Sequence, residues 1–371
     1  LRKRIDSSFM SEFYNNNMLR GEIKGIPTER RIDKRVMDRM YEEGFLYMKY
    51  GAYARRTHGC KIFKVPMNAG FTCPNWDGRL SNEGCIYCPD LARQFTYESF
   101  RRVITRDIRE QVKDQIDYYK KKGAGERALV YIAFGTNTYR PLNELKRIYD
   151  ATLEHPDVIG LSIGTRPDCV PREVLDLLGD YVDEGYEIWL ELGQQSVHYH
   201  TEERTNRQHG LAECIKTIKE CHKRGILSLV FLILGLPYET PSEMMETARV
   251  ISEINADAVK IYPLLVMKGT RLAKEYKTGG YRPISMTEYA SLVADFLEHL
   301  SPYVLIQRIS KDCGLDGKIV PGWNTHRFIV GPRVEKILMI RGTKQGAKYK
   351  MGLDIEELKP ISARVTASDV L

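Results

Sequence analysis

The chain has 371 residues, 43% apolar and 28% charged, with a net charge of +7, which is long enough to bury a sizeable core. Its longest apolar run, ALVYIAF at 128–134, falls far short of the roughly 20 residues of a membrane span, and the opening LRKRIDSSF lacks the apolar segment of a secretory signal. Eight cysteines are too sparse for a disulfide scaffold, and the expected compartment is a reducing one, the cytoplasm.

In chain order, residues 1–50 carry no long apolar run and read as a basic N-terminal extension, with a loop at NNN, 15–17. Residues 1–64 hold 15 Lys and Arg against 8 Asp and Glu, while the rest of the chain carries 41 of each sign. Short apolar runs then read as buried strands at 61–67, 128–134, 158–164, 187–193, 227–234 and 258–265. Helix-period segments separate them at 105–122, 142–154, 171–184, 211–224 and 241–255. Pro141, Pro171 and Pro241 mark starts, and Gly123, Gly185 and Gly225 mark stops.

Six strands alternating with helices imply a parallel sheet with right-handed crossovers, open or closed into a barrel. Both faces of such strands are covered, so each reads as a continuous apolar run. Function is expected at the C-terminal ends of the strands. After the sixth strand come a helix at 286–300, another apolar run at 304–309 and a loop-rich stretch at 320–326. A basic segment at 333–350 and a weakly ordered tail close the chain. The expected division is an extension at 1–50, a core at 51–310 and a C-terminal extension at 311–371. Localised basic segments suit a polyanion such as RNA, and equally a solvated charged arm.

Three cysteines stand together in CPNWDGRLSNEGCIYC: Cys73, directly after the first strand, then Cys85 and Cys88, a C-x11-C-x2-C pattern. Five others, Cys60, Cys169, Cys214, Cys221 and Cys313, are scattered singly. Structural zinc wants four ligands, and the nearest fourth candidates are His58 and Cys60. A redox dithiol leaves Cys73 unused. An iron–sulfur cluster with one iron open to a non-protein ligand uses all three.

Further segments end other strands: FGTNTYRP (134–141), LSIGTRPDCV (161–170), LELGQQSVHYHTEERTNRQHG (190–210), LILGLPYET (232–240) and KIYPLLVMKGTRL (260–272). With the cysteine loop they resemble the radical S-adenosylmethionine superfamily, in particular its Elongator-catalytic-subunit-like branch and the YtqA/YhcC-type group within it. The resemblance covers residues 45 to about 350. With 371 residues in the sequence, the acetyltransferase domain of the Elongator subunit is not expected here.

The resemblance implies an α/β fold, an incomplete (βα)₆ TIM-like barrel, with a [4Fe–4S] cluster on Cys73, Cys85 and Cys88 and S-adenosylmethionine (SAM) on the fourth iron. An electron from a flavodoxin or ferredoxin would then yield a 5′-deoxyadenosyl radical. Gly135, Thr136, Asn137, Glu191, Gln195, Arg207 and Gly235 match the expected SAM-binding positions, with Pro237 shaping the same turn as Gly235 and Tyr87 the usual aromatic between two cysteines. Cys169, Lys260 and Tyr262 are expected toward the mouth as catalytic or substrate-contacting groups. Three positions depart from the family pattern: Gly164 where relatives often have Glu, Phe231 where they carry Asp or His, and Trp76 where the closer group has Arg.

Members of that branch act on the C5 substituent of wobble uridine in tRNA, so the expected reaction is of that kind, for example carboxymethylaminomethyl to aminomethyl. A small metabolite, peptide or porphyrin is the alternative substrate. A zinc-stabilised RNA-binding protein is the reading without catalysis.

Overall fold

The computed structural model describes residues 32–89, 107–310, 318–323 and 329–350. The arm before residue 32, Cys313, and the tail from 351 lie outside the described residues. Two short helices open the described chain, α1 (Lys34–Glu42) and α2 (Tyr50–His58). Asp33 caps the first by accepting from the Arg35 amide, and Gly59 in the left-handed region ends the second.

Strand and helix then alternate: β1 (Ile62–Met67), α3 (Ile108–Lys121), β2 (Arg127–Ile132), α4 (Leu142–Leu153), β3 (Val158–Thr165), α5 (Arg172–Asp183) and β4 (Glu187–Gln195). There follow α6 (Tyr199–Arg204), α7 (Leu211–His222), β5 (Leu227–Leu234), α8 (Pro241–Glu253) and β6 (Ala258–Pro263). The described chain ends with β7 (Val266–Met267), α9 (Arg271–Lys277), α10 (Met286–His299), β8 (Leu305–Arg308), β9 (Lys318–Val320) and α11 (Val330–Arg341).

The sheet is parallel throughout, a curled half-barrel in the order β1-β2-β3-β4-β5-β6-β8. It has seven strands, one more than the sequence reading placed in it. The seventh is the 304–309 run, whose Arg308 pairs with Lys260 beyond a register shift. Its short polar end, Gln307-Arg308, hides it from a reading that looks for long apolar runs. The small β7-β9 pair is antiparallel.

Side chains alternate along each strand. One set, including Val65, Val130, Leu161, Leu190, Val230 and Ile261, packs against the outer helices. The other set faces the concave interior in layers. The lowest layer is apolar: Leu129, Trp189, Leu229, Ala258 and Leu305 form one cluster with Met37, Met40, Tyr50 and Tyr53 of α1 and α2. Residues 34–58 thus form the floor of the half-barrel rather than an appended arm. Tyr50 meets Trp189 edge-to-face at 5.6 Å.

The C-terminal stretch ties to the same end. Buried Gln345 accepts from the Met48 amide at 2.9 Å and donates to the Val304 carbonyl at 2.8 Å. Within the basic 333–350 segment, Arg341 pairs with Asp295 at 2.7 Å and Lys348 pairs with Glu298. Part of that charge therefore docks the segment on α10.

Candidate active site

The loop after β1 carries the three cysteines, and its backbone is held from several sides. The Trp76 amide donates to the Cys73 carbonyl at 2.8 Å, the Gly84 amide to Asn75 at 2.8 Å and the Ile86 amide to Thr205 at 3.1 Å. Asn75 Nδ2 donates to the Asn206 carbonyl, and Asn206 Nδ2 returns a bond to the Gly84 carbonyl, each at 2.7 Å. Trp76 lies on Gly84: a Cβ there would stand 2.1 Å from the indole. Gly84 also has φ +65°, so glycine is needed twice over.

The cysteines differ in environment. Burial pushes the Cys85 thiol up, but the Arg207 guanidinium, with Arg166 and Asn75 adding to it, offsets this and leaves it below the ordinary thiol value. Arg207 Nη1 donates to Cys85 Sγ at 3.2 Å, and Asn75 Nδ2 is 3.5 Å from the same sulfur. Burial and the neighbouring Cys85 push Cys88 up to about 12, with Cys73 adding to the effect. Three thiols within one another's electrostatic reach favour a cation among them.

Among the described residues no three His, Cys, Asp or Glu side chains converge enough to share one metal ion. Thiols that each take a different corner of a four-iron cluster need not converge on a point. The fourth zinc ligands considered from sequence lie elsewhere. His58 pairs with Glu187 at 2.8 Å on the floor side, and Cys60 precedes β1. Both are at the far end of a six-residue strand from Cys73, roughly 20 Å away.

Around this loop, buried polar atoms lack partners among the described residues: Asn137 Oδ1, Gln195 Oε1, Arg166 Nη1 and Arg207 Nε. Natural proteins rarely leave such atoms unpaired, so their gathering at one end of the sheet fits a polar ligand. Asn137 holds its orientation by donating Nδ2 to the carbonyls of Gly164 at 2.6 Å and Ile132 at 3.1 Å. Gln195 ends β4 at φ +72°, a strained position for a residue with a side chain.

Arg207 also donates Nη2 to the Gly193 carbonyl and, at 2.7 Å, to His209 Nε2. Burial and the nearby guanidinium groups of Arg207 and Arg166 push His209 down to about 2, so it stays neutral and accepts. Arg166 is clamped by Asp168 through two 2.9 Å bonds. Two guanidinium groups and two amide oxygens can receive the carboxylate and the ammonium of an amino acid.

Other residues singled out from sequence do different work in this geometry. Gly135 stands so close to the cysteine loop that a Cβ would lie 2.4 Å from the Phe71 carbonyl oxygen, and the Thr136 amide donates to Thr72 at 2.8 Å. Both stitch the β2 turn to the cysteine loop. Gly235, at φ +87°, borders an open cleft of about 550 Å³ with Pro237, Tyr238, Tyr281 and Arg282.

Glu191 lies one layer below the mouth. Its Oε1 accepts from Lys64 at 2.6 Å and Ser162 at 2.7 Å, and its Oε2 accepts from Lys260. Burial pushes the carboxyl up, yet the two lysines hold it far below its usual value. Tyr262 packs edge-to-face on Phe231 at 4.7 Å, so an aromatic pair occupies the position where the family pattern has Asp or His. Burial pushes the Cys169 thiol up to about 12, with Asp168 adding to it, which keeps it protonated. Tyr87 buries its hydroxyl without a partner among the described residues. Sequence reasoning missed Arg166, His209, Asn75 and Lys64. Arg166 and His209 stood inside the quoted GTRPDC and NRQHG segments, whereas Lys64 read as a polar interruption of a strand.

Two family models match the chain: the radical SAM superfamily over residues 78–251 and the radical SAM C-terminal domain over 256–350. The first match begins just past Cys73. The chain is 48% identical to protein MJ0486 of Methanocaldococcus jannaschii over 318 residues, 85% of this chain and 97% of the relative. It is 33% identical to YtqA of Bacillus subtilis, with 82% of this chain and 93% of the relative covered.

This chain belongs to the radical SAM superfamily. Among solved structures, the archaeal Methanocaldococcus infernus Elp3 with an N-terminal deletion shares the fold at TM-score 0.56 and 20% identity. That match covers 76% of this chain and 64% of that one. Elongator complex protein 3 of Homo sapiens is 26% identical over 62% of this chain and 48% of its own length. The superfamily member described here is a radical SAM enzyme, and its cofactors are a [4Fe–4S] cluster and SAM. When bound, they supply the one-electron cleavage of a sulfonium bond. No helix among the described residues is long and apolar enough to cross a membrane.

Proposed function

We propose that this radical SAM enzyme modifies the C5 substituent of wobble uridine in tRNA, for example by converting carboxymethylaminomethyl to aminomethyl. In this reading Cys73, Cys85 and Cys88 hold the cluster. Arg207 and Arg166 receive the SAM carboxylate, and Asn137 and Gln195 offer oxygens to its ammonium where Gly164 supplies no acid. A flavodoxin or ferredoxin supplies the electron.

The observation that carries the RNA part is the rim of the mouth. Phe134 after β2, Tyr199 after β4 and Tyr238 after β5 are 41%, 74% and 70% exposed. The Arg204 guanidinium sits 5.3 Å over the Tyr238 ring. Exposed aromatics and arginine around an opening suit unstacked bases, and a target base must swing out to reach a buried centre. A small metabolite needs no such rim. The likeness to Elongator complex protein 3 points the same way.

Anaerobic reconstitution with bulk tRNA, SAM and a reductant, followed by mass spectrometry of the nucleosides, tests the reading. A new or depleted wobble uridine derivative is expected. Unchanged tRNA nucleosides, together with cleaved SAM, would shift the substrate to a small molecule.

A further inference from the structure

The layer of the half-barrel below the mouth contains a polar group that SAM chemistry does not require. Lys64 from β1 and Lys260 from β6 both bind Glu191 of β4, and the side chains of Lys260 and Glu191 are only 4% and 2% exposed. The carboxylate is saturated. Its Oε1 takes Lys64, Ser162 and, at 3.4 Å, Gln307, and its Oε2 takes Lys260. Glu187, two layers lower on the same strand, spends its oxygens on His58, Trp189 and Tyr50.

An ammonium has three donors. Lys64 uses two, on Glu191 and on Ser162 at 2.9 Å. Lys260 makes one hydrogen bond, to Glu191, and otherwise stands 4.7 Å from the centre of the Tyr131 ring and 5.9 Å from that of Phe231. Burial is the main force lowering the pKa of both lysines, as expected of cations short of anionic partners.

Gly164, paired with Glu191 in the sheet register, brings no side chain into this layer. A Cβ there would meet only ordinary contacts, with the Tyr131 hydroxyl at 3.5 Å and Asn137 Nδ2 at 3.7 Å. Tyr131 thus spans from the lysine pair, over which its ring lies, to the level of the SAM-binding amides.

Resting on the tRNA reading above, we infer that Lys260, positioned by Glu191 and Lys64 beside the Tyr131 and Phe231 rings, receives a carboxylate on the substrate's C5 arm. The site then selects a uridine bearing an acidic arm over one ending in an amine. Charge-assisted bonds in a buried site discriminate strongly: both arms carry an amine, but only the carboxymethyl arm adds a carboxylate, whereas the bare amine would bring an uncompensated cation to a site where Lys64, Lys260 and Arg308 already repel one another.

The test uses the reconstituted holoprotein without reductant. Binding of 5-carboxymethylaminomethyluridine and 5-aminomethyluridine is measured by equilibrium dialysis, as free nucleosides and within an anticodon stem-loop. About tenfold or greater preference for the acidic nucleoside is expected, collapsing to near unity in Lys260→Met. Because Lys260→Met strands a buried carboxylate, the double variant Lys260→Met/Glu191→Gln serves as the folded control, and it too should lose the preference while binding SAM with unchanged affinity. No preference in the wild type, including no nucleoside binding at all, overturns the inference. So does a preference that survives in the double variant, or a loss of SAM affinity in its place, which would assign the lysine to the cosubstrate's carboxylate. Nucleosides discriminated while neither stem-loop binds would sink the tRNA reading and leave this one standing.

Discussion

Arg207 illustrates how much one side chain carries. Its guanidinium touches a cysteine sulfur, a strand carbonyl and a histidine, and keeps Nε in reserve. Lysine cannot reproduce that fork. Arg207→Lys is expected to weaken SAM binding by about tenfold or more, read by equilibrium dialysis on protein with matched iron content. Unchanged affinity would remove Arg207 from the SAM site. A buried carboxyl, Glu202, and a half-buried one, Glu239, make a pH signature. Burial pushes Glu202 up to about 8 and Glu239 up to about 7, from an ordinary 4.5. Both are raised in the folded state, so their contribution to stability is complete below about pH 4.5 and is lost as pH rises to between 7 and 8. Thermal melting across pH 5–8 should show this decline, and Glu202→Gln/Glu239→Gln should flatten it.

At the scale of elements, the floor formed by α1 and α2 does what a lower loop layer does in a closed barrel. It covers Trp189 and Leu229 from below with Met37, Met40 and Tyr53. Trp189→Ala should cost about 3–5 kcal/mol, measured by urea unfolding, and a loss under about 1 kcal/mol would mean the floor is not packed as described. These helices were the hardest elements to read from sequence. Each is nine residues long, and their basic residues, which suggested an arm, sit on the outer side of an apolar face. The strands were legible because both faces are covered, leaving continuous runs such as LSLVFLIL. The polar interior layer was not. Lys64 and Lys260 break their runs at one position each, and nothing local reveals that β1 and β6 aim them at one carboxylate. The three thiols without a fourth stood out in the sequence, but the spacing left zinc, a redox dithiol and a cluster open, and only the accompanying motifs pointed to a cluster. The need for Gly84, set by the indole of Trp76, is a contact across eight residues that spacing does not reveal.

For the whole molecule, the seven strands deliver one constellation to one end of the sheet. β1 leads to the cysteines, β2 to Asn137, β3 to Arg166 and β4 to Gln195. The rim aromatics follow β2, β4 and β5 just outside. If that rim seats tRNA, Tyr238→Ala combined with Tyr199→Ala should weaken tRNA binding by about tenfold or more, since each stacked base contributes on the order of 1–3 kcal/mol, while SAM cleavage without tRNA continues. Filter binding and a cleavage assay, run on the same preparation, separate the two effects.

The sealed floor has a kinetic corollary. Met37, Met40 and Trp189 pack the lower end, so among the described residues the mouth, where the cysteine loop and the rim aromatics stand, is the face offered to reactants. If tRNA seats over that mouth, as proposed, it locks the cosubstrate in and its fragments behind it. In that case SAM must board first, and methionine and 5′-deoxyadenosine must wait for the tRNA to depart. Turnover then becomes a queue, with release of the macromolecule setting its pace, and pre-steady-state measurement should show a burst of cleaved SAM equal to one per enzyme before the slower steady rate.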